Sequence, residues 1–86
     1  MSETDDWRIQ GQERYLRGVR LQLQAYAPAR EGNDHDHCEF CSAKFMVAGA
    51  HGSLADGYST LDRERWICRQ CFEDFVARFS WTIERA

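Results

Sequence analysis

The chain has 86 residues, a mass of 10.1 kDa, a formal charge of −3, and a composition that is 43% hydrophobic and 29% charged. That length fits one domain, which buries only about 60–65% of the surface its unfolded chain exposes, and the balance of apolar and charged residues excludes a disordered chain. No apolar run approaches the roughly 18 residues of a membrane-spanning helix, and an acidic chain is poorly matched to the phosphates of nucleic acid.

Residues 1–6 form a polar leader, expected to be disordered. The opening MSETDDWRIQ does not read as a signal peptide. A cytoplasmic, reducing setting is therefore the expectation, and there cysteine pairs serve metal or redox chemistry rather than disulfides. Trp7 and Ile9 are the first apolar anchors, and Gln10–Glu13 reads as a turn because Gly11 permits positive φ. Val19, Leu21, Leu23 and Ala25 then alternate with Arg20, Gln22, Gln24 and Tyr26. A period of two predicts a half-buried strand over about Tyr15–Tyr26, with Gly18 as a bulge. A helix is the alternative, since Leu, Gln and Arg are good helix formers. Residues 27–36 (APAREGNDHD) hold the only proline and several turn formers, and read as a connector.

Phe45-Met46-Val47 is a short apolar run expected to open a hairpin. Residues 49–57, with three glycines, read as a loop. Tyr58-Ser59-Thr60 is β-prone, Leu61–Arg65 carries four charges, and Trp66-Ile67 is expected to end the returning strand. Phe72, Phe75, Val76 and Phe79 then recur at i, i+3, i+4 and i+7, which predicts an amphipathic helix over Arg69–Ser80. Trp81-Thr82-Ile83 is expected to fold back on the core, while Trp7 and Trp81 are the aromatics most suited to covering a groove or a partner.

The chemistry lies in two CxxC pairs, Cys38/Cys41 and Cys68/Cys71, separated by 26 residues. Two thiolates at i and i+3 bind one ion from the same side, and two such pairs complete a tetrahedral S₄ set. Cys38, Cys41, Cys68 and Cys71 are thus the predicted ligands of one structural Zn²⁺ per chain, with iron in a rubredoxin-like site as the rival metal. Four thiolates and one divalent ion would lower the net charge to about −5. Redox dithiols and paired disulfides are the alternatives. No βαβ unit frames either pair and no export signal is read, so neither is preferred.

His35 and His37 flank Asp36 just before the first pair. They could add a second metal site or an acid/base pair, as in metal-dependent nucleases, but a Cys₄ set needs no fifth ligand, and a solvated loop is the expectation. His51 is expected to be idle. Ten of the eleven basic residues are arginine. Arg14, Arg17 and Arg20 would share a face only on a helix, so a solvated surface is expected for them.

Across residues 38–80 the order knuckle, hairpin, then a helix carrying the second pair resembles the treble-clef zinc fingers. The stretches DWRIQGQE (6–13) with Tyr15-Leu16, DHDHCEFC (34–41), Gly57-Tyr58, Trp66-Ile67-Cys68, Cys71-Phe72 and Asp74-Phe75 are similar to a small bacterial family of uncharacterised proteins. The resemblance implies a metal-bound cytoplasmic domain and brings no activity with it.

The expected fold is small α+β: one domain over 1–86 with a zinc-stabilised, treble-clef-like hairpin, an extra N-terminal strand and one C-terminal helix. The expected function is a non-catalytic module for recognising a protein partner, since a closed S₄ site leaves no position for substrate water. The alternatives are a nucleic-acid-binding zinc finger, or a thiol- or metal-dependent enzyme using His35, Asp36 and His37. An inhibitor of a basic partner would also suit a small acidic chain, and the free edge of the Tyr15–Tyr26 strand invites a homodimer.

Overall fold

The computed structural model describes residues 7–84, so the 1–6 leader lies outside the described residues. The elements are α1 (Glu13–Leu16), β1 (Arg20–Ala25), β2 (Asp36–His37), β3 (Lys44–Phe45), β4 (Asp56–Thr60), β5 (Trp66–Ile67), α2 (Arg69–Phe79) and β6 (Thr82–Ile83), with tight turns over Val47–Gly52. This is a small α+β arrangement. The main sheet is mixed, in the order β5-β4-β1-β6, and β2 and β3 form a separate antiparallel ladder. β1 runs antiparallel to β4, with Leu21 opposite Thr60 and Leu23 opposite Tyr58. β4 turns back onto β5, and β6 lies parallel to β1.

The period of two in β1 divides the core between two faces of the sheet. On one face Leu21 and Ile67 are fully buried. There Phe72 of α2 stacks on Tyr58 at 3.7 Å and on Trp81 at 5.6 Å. On the other face Tyr26, Phe45 and Trp66 pack ring against ring, with centroids 4.9–6.1 Å apart. Tyr26 donates its hydroxyl to Asp36 at 2.6 Å, which pins β1 to β2. Ser59 is fully buried between these packings. It is satisfied by Gln24 Nε2 at 2.6 Å and by its own donation to the Thr60 carbonyl at 2.9 Å.

Five expectations are corrected. The N-terminal strand starts at Arg20 rather than Tyr15, because Tyr15 and Leu16 close the helical turn α1. Gly18, at φ +72°, is the turn between the two rather than a bulge, and its N–H donates to the Phe79 carbonyl at 2.7 Å. Phe45 does not open a hairpin toward Trp66. It pairs back to Asp36, and Trp66-Ile67 returns from β4 instead. Met46 and Val47 leave the ladder, and Val47 is exposed. Trp81 does not face a partner: it is buried against Phe40 and Phe79 and donates its indole N–H to the Leu16 carbonyl at 2.8 Å. Finally, β1 is an inner strand. β6 covers its edge at Arg20 and Leu21, so only the stretch toward Ala25 remains open.

The expected helix is present, ending one residue early, with Ser80 as a left-handed C-cap whose N–H donates to the Val76 carbonyl. Trp81-Thr82-Ile83 folds back as expected, and Thr82-Ile83 becomes β6. No helix among the described residues is long and apolar enough to cross a membrane.

Two backbone sites carry opposite predictions. A Cβ on Gly57 would sit 2.7 Å from Phe45 Cε1 and 2.9 Å from the Ile67 carbonyl oxygen. Gly57→Ala is expected to cost about 1–3 kcal/mol through overpacking. Ala48 holds φ +59°, ψ +18° in the exposed turn, where an L-residue is strained by about 1–2 kcal/mol. Ala48→Gly should therefore raise stability by up to about 1 kcal/mol, less glycine's greater chain entropy. Denaturant midpoints of the two variants would check both signs.

Candidate metal centre

The first cysteine pair sits at the turn between β2 and β3. Cys38 N–H donates to the Ala43 carbonyl at 2.8 Å and Ser42 N–H to the Cys38 carbonyl at 3.1 Å, with Ser42 at φ +67° closing the turn. This knuckle is stitched to β5: Glu39 N–H donates to the Trp66 carbonyl at 2.9 Å, and Cys38 bridges to Trp66. The chain then runs from Trp66-Ile67 straight into Cys68. Cys68 is the N-cap of α2, and its sulfur accepts the Cys71 N–H in place of the usual Ser or Asp oxygen. Cys71 follows in the first turn of the helix.

The result brings all four predicted residues together. The Sγ atoms of Cys38, Cys41, Cys68 and Cys71 lie within 4.8 Å of one another, and Cys41 and Cys68 approach to 3.6 Å. A tetrahedral ion with sulfur at about 2.3 Å places its sulfurs about 3.8 Å apart, so the donor set fits a tetrahedral metal. All four cysteines are free thiols; Cys38, Cys68 and Cys71 are buried and Cys41 is half-buried. The sulfurs also meet N–H donors. Phe40 and Cys68 donate to Cys38 Sγ, both at 3.4 Å, and Cys71 donates to Cys68 Sγ at 3.4 Å. Phe40, between the first two ligands, is anchored against Phe75, Phe79 and Trp81.

Burial, reinforced by the charge of neighbouring sulfurs, works against ionising this cluster. It pushes the Cys38 thiol up to about 11, despite N–H donors from Cys41, Cys68 and Phe40. Cys71 is raised as well, by burial first and then by repulsion from Cys38. At Cys41 burial is outweighed by the Ala43 N–H and by the neighbouring thiols, so its thiol falls below the ordinary range. Several buried thiols that resist ionisation side by side are the electrostatic complement of a divalent cation, which displaces their protons.

Among the described residues the cluster consists of the four cysteines, and the histidines do not join it. His35 Nδ1 meets Asp34 Oδ1 at 2.6 Å, and the His35 and His37 rings meet edge to face at 5.0 Å. Asp36 is occupied by the Tyr26 hydroxyl and by Asn33 Nδ2 at 3.1 Å. His51 is exposed in the turn after Val47.

Two residues beside the centre were not singled out by sequence reasoning. Arg8 reaches Cys71 Sγ at 3.5 Å, and Gln12 is buried against the knuckle, donating to the Glu39 carbonyl at 2.9 Å. Both lie in the DWRIQGQE stretch (6–13), but nothing in its spacing directs an arginine or a glutamine to cysteines far along the chain.

No family model, curated protein or solved structure matches this chain.

The pH dependence should change sign with metal. Without metal, the raised thiols of Cys38 and Cys71 bind protons more tightly folded than unfolded. Their contribution is complete below the ordinary thiol range and is lost as pH rises toward about 11. With zinc bound, protons compete for the sulfurs, so stability falls as pH drops from about 8 to 5. Thermal midpoints against pH, with and without chelator, would show the two opposite slopes.

Proposed function

We propose that this chain is a structural Cys₄ zinc module of treble-clef type, cytoplasmic, and used for non-catalytic recognition of a protein partner. The convergence of four sulfurs within 4.8 Å, three of them buried, carries this reading. Four thiolates complete a tetrahedron, and a full tetrahedron has no open position for substrate water. Zinc is favoured over iron because the site asks only for a closed, redox-inert clip. The element order supports the treble-clef assignment: a knuckle between β2 and β3, a β4–β5 hairpin, then α2 opening on the second pair. The similarity to the small bacterial family with the WRIxGQE leader rests on the same cysteines and is part of this proposal.

The surface supports a protein partner over nucleic acid. Arg8, Arg20, Arg30, Arg65, Arg69 and Arg78 each hold a carboxylate within 3.5 Å, so these cations are spent within the molecule. Exposed apolar groups remain at Leu23 and Ile83 beside the open part of the β1 edge, and at Val47 and Leu54 near the strained turn. These are the places where a partner or a second copy would add apolar contact.

Purified protein should contain one zinc per chain, and its thermal midpoint should drop sharply when a strong chelator removes it. His35→Ala with His37→Ala should retain full zinc content. Loss of zinc in that double variant, or a wild type that purifies without zinc and gains no stability from added zinc, would overturn the reading. Crosslinking in native-host extract should join Leu23-side or Val47-side peptides to a protein; retention of nucleic acid instead would favour the nucleic-acid reading.

A further inference from the structure

We propose that Arg8 is a built-in cationic cap on the metal centre, a positioning residue that neutralises charge on the Cys71 thiolate and slows metal loss. The inference rests on the Cys₄ metal reading above and deepens it. A divalent ion with four thiolates carries two net negative charges, and burying them requires donors or a countercharge. Backbone N–H groups serve Cys38 and Cys68. Cys71 differs: the donor given to its sulfur is the Arg8 guanidinium, at 3.5 Å.

Arg8 is built into this position on three sides. Its Nη1 also bonds Asp74 Oδ2 at 2.9 Å, one helical turn beyond Cys71. Its guanidinium carbon lies 4.5 Å from the Phe75 ring centroid, a cation–π contact with a ring packed on Phe40 of the knuckle. The side chain is only 19% exposed, so its charge is screened less than that of a surface arginine. Its backbone is held as well. Gln12 Nε2 donates to the Arg8 carbonyl at 2.8 Å and to the Glu39 carbonyl at 2.9 Å, while Gln12 Oε1 accepts the Gln10 N–H at 2.6 Å. One buried amide thus ties the Arg8–Gln12 stretch to the loop that carries Cys38 and Cys41. Glu13 continues the strap by pairing with Arg78 of α2 at 3.2 Å. The Trp7–Glu13 segment accordingly bridges the two halves of the centre, with its one guanidinium directed at a ligand sulfur.

The test uses the full chain loaded with cobalt(II), whose thiolate-to-metal charge-transfer band reports the electron density at sulfur. Arg8→Gln keeps an N–H donor but removes the charge. Its band should move to longer wavelength, and its zinc affinity should fall by roughly tenfold or more, as for other outer partners of metal ligands. Arg8→Lys keeps the charge and can serve Cys71 and Asp74 from one nitrogen, as Nη1 does, so its band should stay near the wild-type position. A wild-type band that neither variant moves, with unchanged zinc affinity, would overturn the cap and leave the metal reading standing. Absence of any thiolate band in the wild type would overturn the metal reading itself. Should Arg8→Gln fail to fold with metal, the uncharged Arg8→Met decides alone: a shifted band supports the cap and an unshifted band refutes it.

Discussion

Everything else in this molecule is arranged around bringing four sulfur atoms, from segments 26 residues apart, within 4.8 Å of one another. An 86-residue chain has little core to spare, and its secondary elements are short. Several strands are two residues long, too short to persist as independent ladders. A clip at this point joins the β2–β3 turn, the end of β5 and the first turn of α2. A bound metal would then contribute a share of folding free energy that such elements cannot supply themselves; in small zinc peptides it is about 10–16 kcal/mol.

The aromatic packing and the sulfur cluster are one construction rather than two. Phe40 lies between the first two cysteines and packs on Phe75, Phe79 and Trp81. Trp66 precedes the second pair by two residues and packs on Tyr26 and Phe45. The rings fix the backbone on either side of each ligand, so the sulfurs are preorganised by hydrophobic burial before any ion is considered. The same rings tie both cysteine segments to the core, unlike the polar residues that precede Cys38. The histidines illustrate the contrast. Their partners are Asp34 and each other, and the part-buried tie from Tyr26 to Asp36 holds strands together.

The Trp7–Glu13 segment shows how a small domain can recruit a peripheral stretch to its centre. Trp7–Glu13 contributes no strand, yet Gln12 is as buried as a core residue and satisfies two carbonyls. Glu13 is held below the ordinary carboxylate range by backbone N–H bonding and by Arg78. These polar ties seat the segment where apolar anchoring is thin, Trp7 itself being exposed.

The sequence by itself determined the two cysteine pairs, the helix and the strand. Each of these is written in local spacing: i and i+3 for the thiols, i, i+3, i+4 and i+7 for the phenylalanines, and alternation for Leu21 and its neighbours. Only the tertiary structure decided the pairings. Phe45 could have paired forward to Trp66 or back to Asp36, and no local period distinguishes them, because two-residue ladders are selected by the packing of Tyr26, Phe45 and Trp66 in space. Likewise, Tyr15 and Leu16 fit the strand pattern by composition but are drawn into a helical turn, and Leu16 buries in the core. The placement of Arg8 on Cys71, 63 residues away, is set by long-range geometry that no window of sequence contains.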